Sequence, residues 1–159
     1  MLELEIRPAR ADDAEAACAA MRRSIVELCA ADHGHDPQIL AGWLANKTTA
    51  NVAMWISDRG NFVYVAINGG KIAGVAAMTQ TGLITLNYVS PEARFRGVSK
   101  MLLAALERKA ADLGLAQCGL TSTKTALRFY RAAGYVERRT GDEDSGTTMI
   151  KEIASATTR

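Results

Sequence analysis

Polar and apolar positions alternate from the start of the chain. Leu2, Leu4 and Ile6 are separated by Glu3 and Glu5, a period of two that predicts a half-buried strand stopping at Pro8. The period then lengthens. Asp12 or Asp13 caps an Ala-rich helix to about Ala31, with Met21, Ile25, Leu28 and Cys29 on one stripe. A polar loop, Asp32 to Pro37, leads to helical spacing at Ile39, Leu40, Trp43 and Leu44, and Val52 to Ile56 predicts another short helix. After Gly60 the texture changes to short β-branched and aromatic runs: Phe62 to Ile67, Ile72 to Met78 and Leu83 to Val89. Tight Gly-containing turns join them, which predicts an antiparallel meander.

Val98 to Leu113 is again helical and ends at Gly114. Leu115 to Thr121 suits a strand and Thr125 to Ala133 a helix closed by Gly134. Tyr135 to Thr140 with Thr147 to Ile153 forms a closing hairpin. A helix separates the strand ending at Val89 from the one ending near Thr121, so that pair is expected to run parallel. The fold class is therefore α/β of the α+β type: a single mixed, mostly antiparallel sheet of six to seven strands, with helices on both faces.

Length and composition narrow the class. The chain has 159 residues, 48% of them hydrophobic and 23% charged, which suits one globular domain, residues 1–154, with a disordered tail at 155–159. The acidic turn Gly141 to Gly146 is expected to be mobile. Cys18, Cys29 and Cys118 are isolated and odd in number, against a disulfide framework or a Cys-rich zinc site. An acidic N-terminus is unlike a signal peptide, and the longest apolar runs are about a third of the ~20 residues of a membrane helix. A cytoplasmic location without membrane attachment is the expectation.

The chemistry concentrates where the strand ending at Val89 runs through Ser90-Pro91-Glu92-Ala93 into Arg94-Phe95-Arg96-Gly97-Val98-Ser99-Lys100 and then a long helix. Amides at a helix start lack intrahelical acceptors and the helix dipole favours negative charge there, which suits a phosphate or pyrophosphate. Gly97 and Ser99 are small, and Arg94, Arg96 and Lys100 add charge; the alternative is that these cations merely solvate a helix start. Neither a dinucleotide fingerprint nor a Walker loop is present.

A second passage, Thr123-Lys124-Thr125-Ala126-Leu127-Arg128-Phe129-Tyr130, followed by Gly134-Tyr135, places Ala126, Phe129, Tyr130 and Ala133 on one helical face. With both passages in place the chain resembles the GNAT superfamily of N-acetyltransferases. Arg94 to Ser99 matches the family's Gln/Arg-x-x-Gly-x-Gly/Ala loop, Phe129-Tyr130 with Gly134-Tyr135 matches its later helix, and the order of elements agrees over nearly the whole chain. Ser99 stands where Gly or Ala is usual, and Thr123 where many members carry a cofactor-binding Asn.

The resemblance implies the GNAT fold with one splayed parallel pair of strands, acetyl-coenzyme A as co-substrate and no metal. It implies acetyl transfer to a primary amine of a small molecule or peptide by direct attack in a ternary complex. Cofactor contacts would come from Tyr88, Val89, Arg94, Phe95, Arg96, Gly97, Val98, Ser99, Lys100, Thr123 and Tyr130. The Val89 amide would polarise the thioester, and Tyr130 would be the general acid, its phenol matching a thiolate in basicity.

Asp32, His33, His35 and Asn87 are candidates for the acceptor side. His33 or His35 could take a proton near neutral pH, or the loop could simply be a helix end in which His meets the dipole and Asp caps the next helix. Trp43 and Trp55 read as core residues, with an acceptor pocket as the alternative. Two rival functions are a non-catalytic acyl-coenzyme A sensor and an acetyltransferase of aminoacyl-tRNA; a net charge of +2 gives nucleic acid little support. Exposed edges of the closing hairpin would admit a homodimer. The small net charge is itself composite: residues 92–139 hold ten Lys/Arg against four Asp/Glu, net +6, leaving nine against thirteen, net −4, elsewhere. A basic flank thus surrounds the proposed pyrophosphate loop, and an acidic first third the proposed amine site.

Overall fold

The computed structural model describes residues 4–140 and 146–154, so the expected tail and all but Gly146 of the acidic turn lie outside the described residues. Strand β1 (Leu4–Pro8) feeds a 3-10 turn whose Asp13 carboxylate accepts the Arg10 amide at 2.7 Å and two bonds from the Arg7 guanidinium, 2.7 and 3.0 Å. That fork ties the strand to helix α1 (Ala14–Leu28), whose buried stripe is Ala14, Ala17, Cys18, Met21 and Ile25. The helix expected to reach Ala31 is interrupted. Cys29 leaves helical geometry (φ −101°, ψ 17°), and Ala30–His33 form a separate turn, α2, so Asp32 and His33 are helical rather than in a loop.

Helix α3 (Pro37–Leu44) is capped by Asp36, whose side chain accepts from the Gln38 and Ile39 amides. Thr48 caps α4 (Thr49–Ser57) by accepting the Asn51 amide at 3.1 Å. No helix among the described residues is long and apolar enough to cross a membrane.

The meander forms as expected: β2 (Asn61–Asn68), β3 (Lys71–Thr79) and β4 (Ile84–Val89) pair antiparallel in the order β1-β2-β3-β4. After helix α5 (Val98–Asp112) come β5 (Gln117–Ser122), helix α6 (Leu127–Ala132), β6 (Val136–Thr140) and β7 (Thr147–Glu152), with order β5-β7-β6. Among the described residues the expected single sheet is thus hydrogen-bonded as two, and its parallel contact is one bridge, Leu83 to Gly119. Gly82 makes this vertex: its carbonyl accepts the Gly119 amide at 2.9 Å, its φ is +92°, and a Cβ there would lie 2.6 Å from the Gln117 carbonyl oxygen. Beyond the vertex β4 and β5 have no further described pairing, because a strand pair held at one end only is free to diverge.

Two cores flank this arrangement. On one side α1 and α4 cover Val63, Val65, Val75 and Ala77. On the other, Leu102 and Leu106 of α5 cover the opposite face of the first sheet at Ala76 and Met78, and the same core continues to Leu120 and Met149 of the second sheet and Tyr130 of α6. Each fully buried side chain of this size contributes roughly 1.5–3 kcal/mol, which fixes both walls of the cleft between β4 and β5.

Candidate functional site

Among the described residues strand β4 is an edge strand, paired with β3 on one side only. The Ser90 amide donates to the Ala73 carbonyl of β3 at 2.8 Å. Backbone direction alternates along a strand, so Tyr88 also faces β3 while the amides and carbonyls of Val89 and Asn87 point into the gap toward β5. Unpaired strand edges of this kind accept an extended chain bearing amides.

Just past this edge the chain turns sharply into α5. Pro91–Ala93 form a 3-10 turn pinned by buried Ala93 and by an ion pair between Glu92 and Arg23 of α1. Phe95 (φ 64°) and Gly97 (φ 75°) then take left-handed backbone. Gly97 has no atom within 4 Å of an added Cβ, so its glycine is demanded by the backbone angle and not by space. The first described bond into the helix runs from the Met101 amide to the Gly97 carbonyl, and no side chain caps this end. The amides of Val98, Ser99 and Lys100 therefore have no partner among the described residues, while exposed Arg94, Arg96 and Lys100 surround them. Ser99 lies inside the helix with ordinary backbone, so its side chain demands nothing of the loop that Gly or Ala would not. Phe95 is 89% exposed under the Arg94 guanidinium, 4.4 Å from the ring centre. A bulky residue held at positive φ is a strained one, of the kind found at ligand-binding loops.

Tyr130, on α6, is buried between Phe129 and Tyr135 in edge-to-face contacts of 5.0 and 5.8 Å. Its hydroxyl accepts a 3.4 Å bond from the Asn87 Nδ2 of β4, which brings the two candidates together across 43 residues of sequence. Burial pushes the Tyr130 phenol up, and the Asn87 bond opposes part of that shift. Tyr88 is pushed up to about 12, first by burial and then by Cys29 and Tyr130 nearby. Asn87 Oδ1 is buried and has no hydrogen-bond partner among the described residues.

The acceptor-side candidates separate. His33 is 1% exposed, with Nε2 2.9 Å from the Ile25 carbonyl and Nδ1 accepting the His35 amide at 3.0 Å. With Nε2 facing the Ile25 carbonyl and Nδ1 accepting the His35 amide, the imidazole has no free lone pair for the base role that was one of its two readings, and Asp36 caps the next helix as the other had it. His35 is exposed at φ 57° and meets His33 edge-on, while Trp43 meets His33 at 5.7 Å from the other side. Trp43 thus secures a structural histidine, and Trp55 packs against the α1–α4 core. Asp32 does reach the site: its carboxylate accepts the Thr125 amide at 3.2 Å, joining α2 to the turn before α6. Thr123 Oγ1 accepts the Ala126 amide at 3.3 Å in the same turn. Cys29, beside Asp32, is held protonated by burial and by that carboxylate, at about 11. A depression of about 820 Å³ lies beside α1, lined by Arg7, Arg10, Asp13, Arg23 and Lys71 and reaching Ser90, Glu92 and Ala93 at the exit of β4.

An edge strand with outward-facing amides, a helix start whose unpartnered amides lie among cations, and a buried phenol lie together around the gap between β4 and β5. Residues 34–151 match the acetyltransferase (GNAT) domain family, and the chain belongs to it. Among solved structures it is similar to a GCN5-related N-acetyltransferase from Rhodopseudomonas palustris, with TM-score 0.83, 25% identity and coverage of 96% of this chain and 98% of that one. It also resembles the PaiA N-acetyltransferase from Thermoplasma acidophilum in complex with coenzyme A, with TM-score 0.82, 18% identity and coverage of 94% and 99%. A third is the ribosomal-protein-S18-alanine N-acetyltransferase from Escherichia coli, with TM-score 0.67, 17% identity and coverage of 97% and 96%. No curated protein matches the chain. The protein is an acyltransferase of the GNAT class.

Proposed function

We propose that this enzyme transfers the acetyl group of acetyl-coenzyme A to a primary amine of a small molecule or peptide, by direct attack within a ternary complex. The observation that carries the reading is two sets of unpartnered backbone polar groups, at Asn87 and Val89 on the β4 edge and at Val98, Ser99 and Lys100 at the start of α5. Together they suit an extended amide-bearing arm ending in a pyrophosphate. The amides of Val98, Ser99 and Lys100, with Arg94 and Arg96, hold the pyrophosphate; Phe95 and Thr123 flank it; the β4 edge at Val89 holds the arm.

Toward the vertex the amide of Asn87 lies two residues, about 6.6 Å, farther along the strand than that of Val89, and Asn87 is the residue bonded to Tyr130. Both amides can donate to a thioester oxygen, and the Asn87 amide is the one beside the acid. Attack of the amine nitrogen on the carbonyl carbon is followed by cleavage of the C–S bond, and Tyr130 gives its proton to the departing thiolate. Its phenol is suited to this because burial keeps it protonated and Asn87 donates to its oxygen, leaving the O–H free to point at sulfur.

Calorimetric titration with acetyl-coenzyme A, followed by thiol release with an amine panel, tests the reading. Micromolar binding and amine-dependent thiol release are expected, and Gly97→Ala should weaken binding about tenfold through the cost of a left-handed non-glycine residue. Absence of binding would overturn the assignment, and binding without turnover on any amine would leave a sensor.

A further inference from the structure

The unsatisfied carbonyl oxygen of Asn87 is a buried acceptor at the reacting end of the cleft, on the same amide whose nitrogen holds Tyr130. A buried polar atom without a partner costs roughly 1–3 kcal/mol, so it marks a place where a donor belongs when the site is full. We propose that Asn87 is a specificity-determining residue whose Oδ1 receives an N–H of the acceptor amine, and that the acceptor occupies this position as an uncharged amine rather than as an ammonium. This rests on the acetyl-transfer reading given above.

The charge assignment follows from what surrounds the atom. Tyr130 faces it from α6; Tyr88 lies on the opposite face of β4 against the α1–α4 core, with Cys29 near it at the break between α1 and α2. Burial keeps all of these protonated and neutral near pH 7. His33 is closed off by backbone on both nitrogens. Asp32 is the charged group, and it sits across on α2, bonded to the Thr125 amide. An ammonium at Asn87 would be a buried charge met only by an amide carbonyl, which is strongly unfavourable. A neutral amine donates one N–H to Oδ1 and keeps its lone pair for the thioester. The transfer then balances without a protein base: the N–C bond forms, the C–S bond breaks, Tyr130 protonates the thiolate, and the proton lost by nitrogen returns through water to the tyrosinate. Asp32 draws the ammonium toward the cleft, where it sheds its proton to solvent.

The substrate class this favours is a low-pKa amine, such as an α-amino group near ~8, over a lysine-type amine near ~10.4. At pH 7.5 the neutral fraction differs between these by more than about a hundredfold, and kcat/KM should follow it. The native enzyme is assayed with aryl, α-amino and alkyl amines of graded pKa, alongside Asn87→Ala and Asn87→Asp, with acetyl-coenzyme A affinity measured for each as a control of folding.

The expected results are a native preference falling as amine pKa rises, at least a tenfold loss of kcat/KM in Asn87→Ala with acetyl-coenzyme A affinity within about twofold, and a shift of preference toward high-pKa amines in Asn87→Asp, whose carboxylate stabilises an ammonium. Unchanged amine kinetics in Asn87→Ala would overturn the inference while leaving the function standing, as would a native preference for lysine-type amines. If Asn87→Ala fails to bind the co-substrate, the isosteric Asn87→Asp decides: an unaltered amine preference there overturns the inference. Absence of transfer by the native enzyme would overturn both together.

Discussion

Tyr130 and Tyr135 lie five residues apart, touch edge-to-face, and are both nearly buried, yet their hydroxyls are in opposite situations. Tyr135 donates to Glu107 Oε2 at 2.9 Å, and the other carboxylate oxygen takes Lys151 Nζ at 2.8 Å, so α5, the turn after α6 and β7 are locked by a completed network. Tyr130 receives one long bond from an amide whose other end is unsatisfied. Hydrogen bonds that close among themselves hold a fold together, whereas bonds left open within a buried cleft are capacity held for a ligand. Two aromatic residues of one short motif therefore stand in an open and a closed network.

The comparison makes its largest demand on Tyr130→Phe. Loss of a general acid is worth about 10²–10⁴ in rate, so kcat should fall at least a hundredfold while thermal stability barely moves, as steady-state thiol release and calorimetry would show. Tyr135→Phe should invert that result, lowering unfolding free energy by about 2 kcal/mol in denaturant titration and changing kcat by less than about threefold, since it removes a bond to a charged group. Comparable kinetic damage from both would erase the distinction.

The pH dependence sharpens it further. Burial, then the Glu107 charge, raises the Tyr135 phenol, so the folded state favours its protonated form. The stability this represents is complete below the unfolded value near ~10 and is lost as pH rises beyond it. Alkaline unfolding should begin near pH ~10, with a shallower slope in Tyr135→Phe. The raised Tyr130 phenol likewise keeps its proton, so the alkaline limb of kcat should not fall below that pH. Smallest is Lys151→Met, expected to cost about 1 kcal/mol because the pair is partly solvated and Glu107 keeps its bond to Tyr135.

The family pattern was legible because it is local. Gly97 with flanking Arg94 and Arg96, and Phe129-Tyr130 before Gly134-Tyr135, carry the family pattern in contiguous residues. Other features were hidden for physical reasons. The break at Cys29 has no proline or glycine to announce it, so an Ala-rich periodic stretch read as one helix. The choice at His33 between a base and a helix-end residue is hidden because a sequence shows a titratable ring but not the Ile25 carbonyl and His35 amide that occupy it. Phe95 gave no sign that it would adopt positive φ.

The sequence by itself determined the order and type of the elements, the basic glycine-containing entry to α5 and the family, because periodicity, turn residues and motif spacing are properties of neighbouring positions. Only the tertiary structure decided which strand edges stay open, how β4 and β5 part at the Gly82 vertex, and that Asn87 meets Tyr130 while Asp32 reaches Thr125. Those outcomes depend on how two separately packed cores set distant segments against one another, and no local rule encodes which polar atom will be left without a partner.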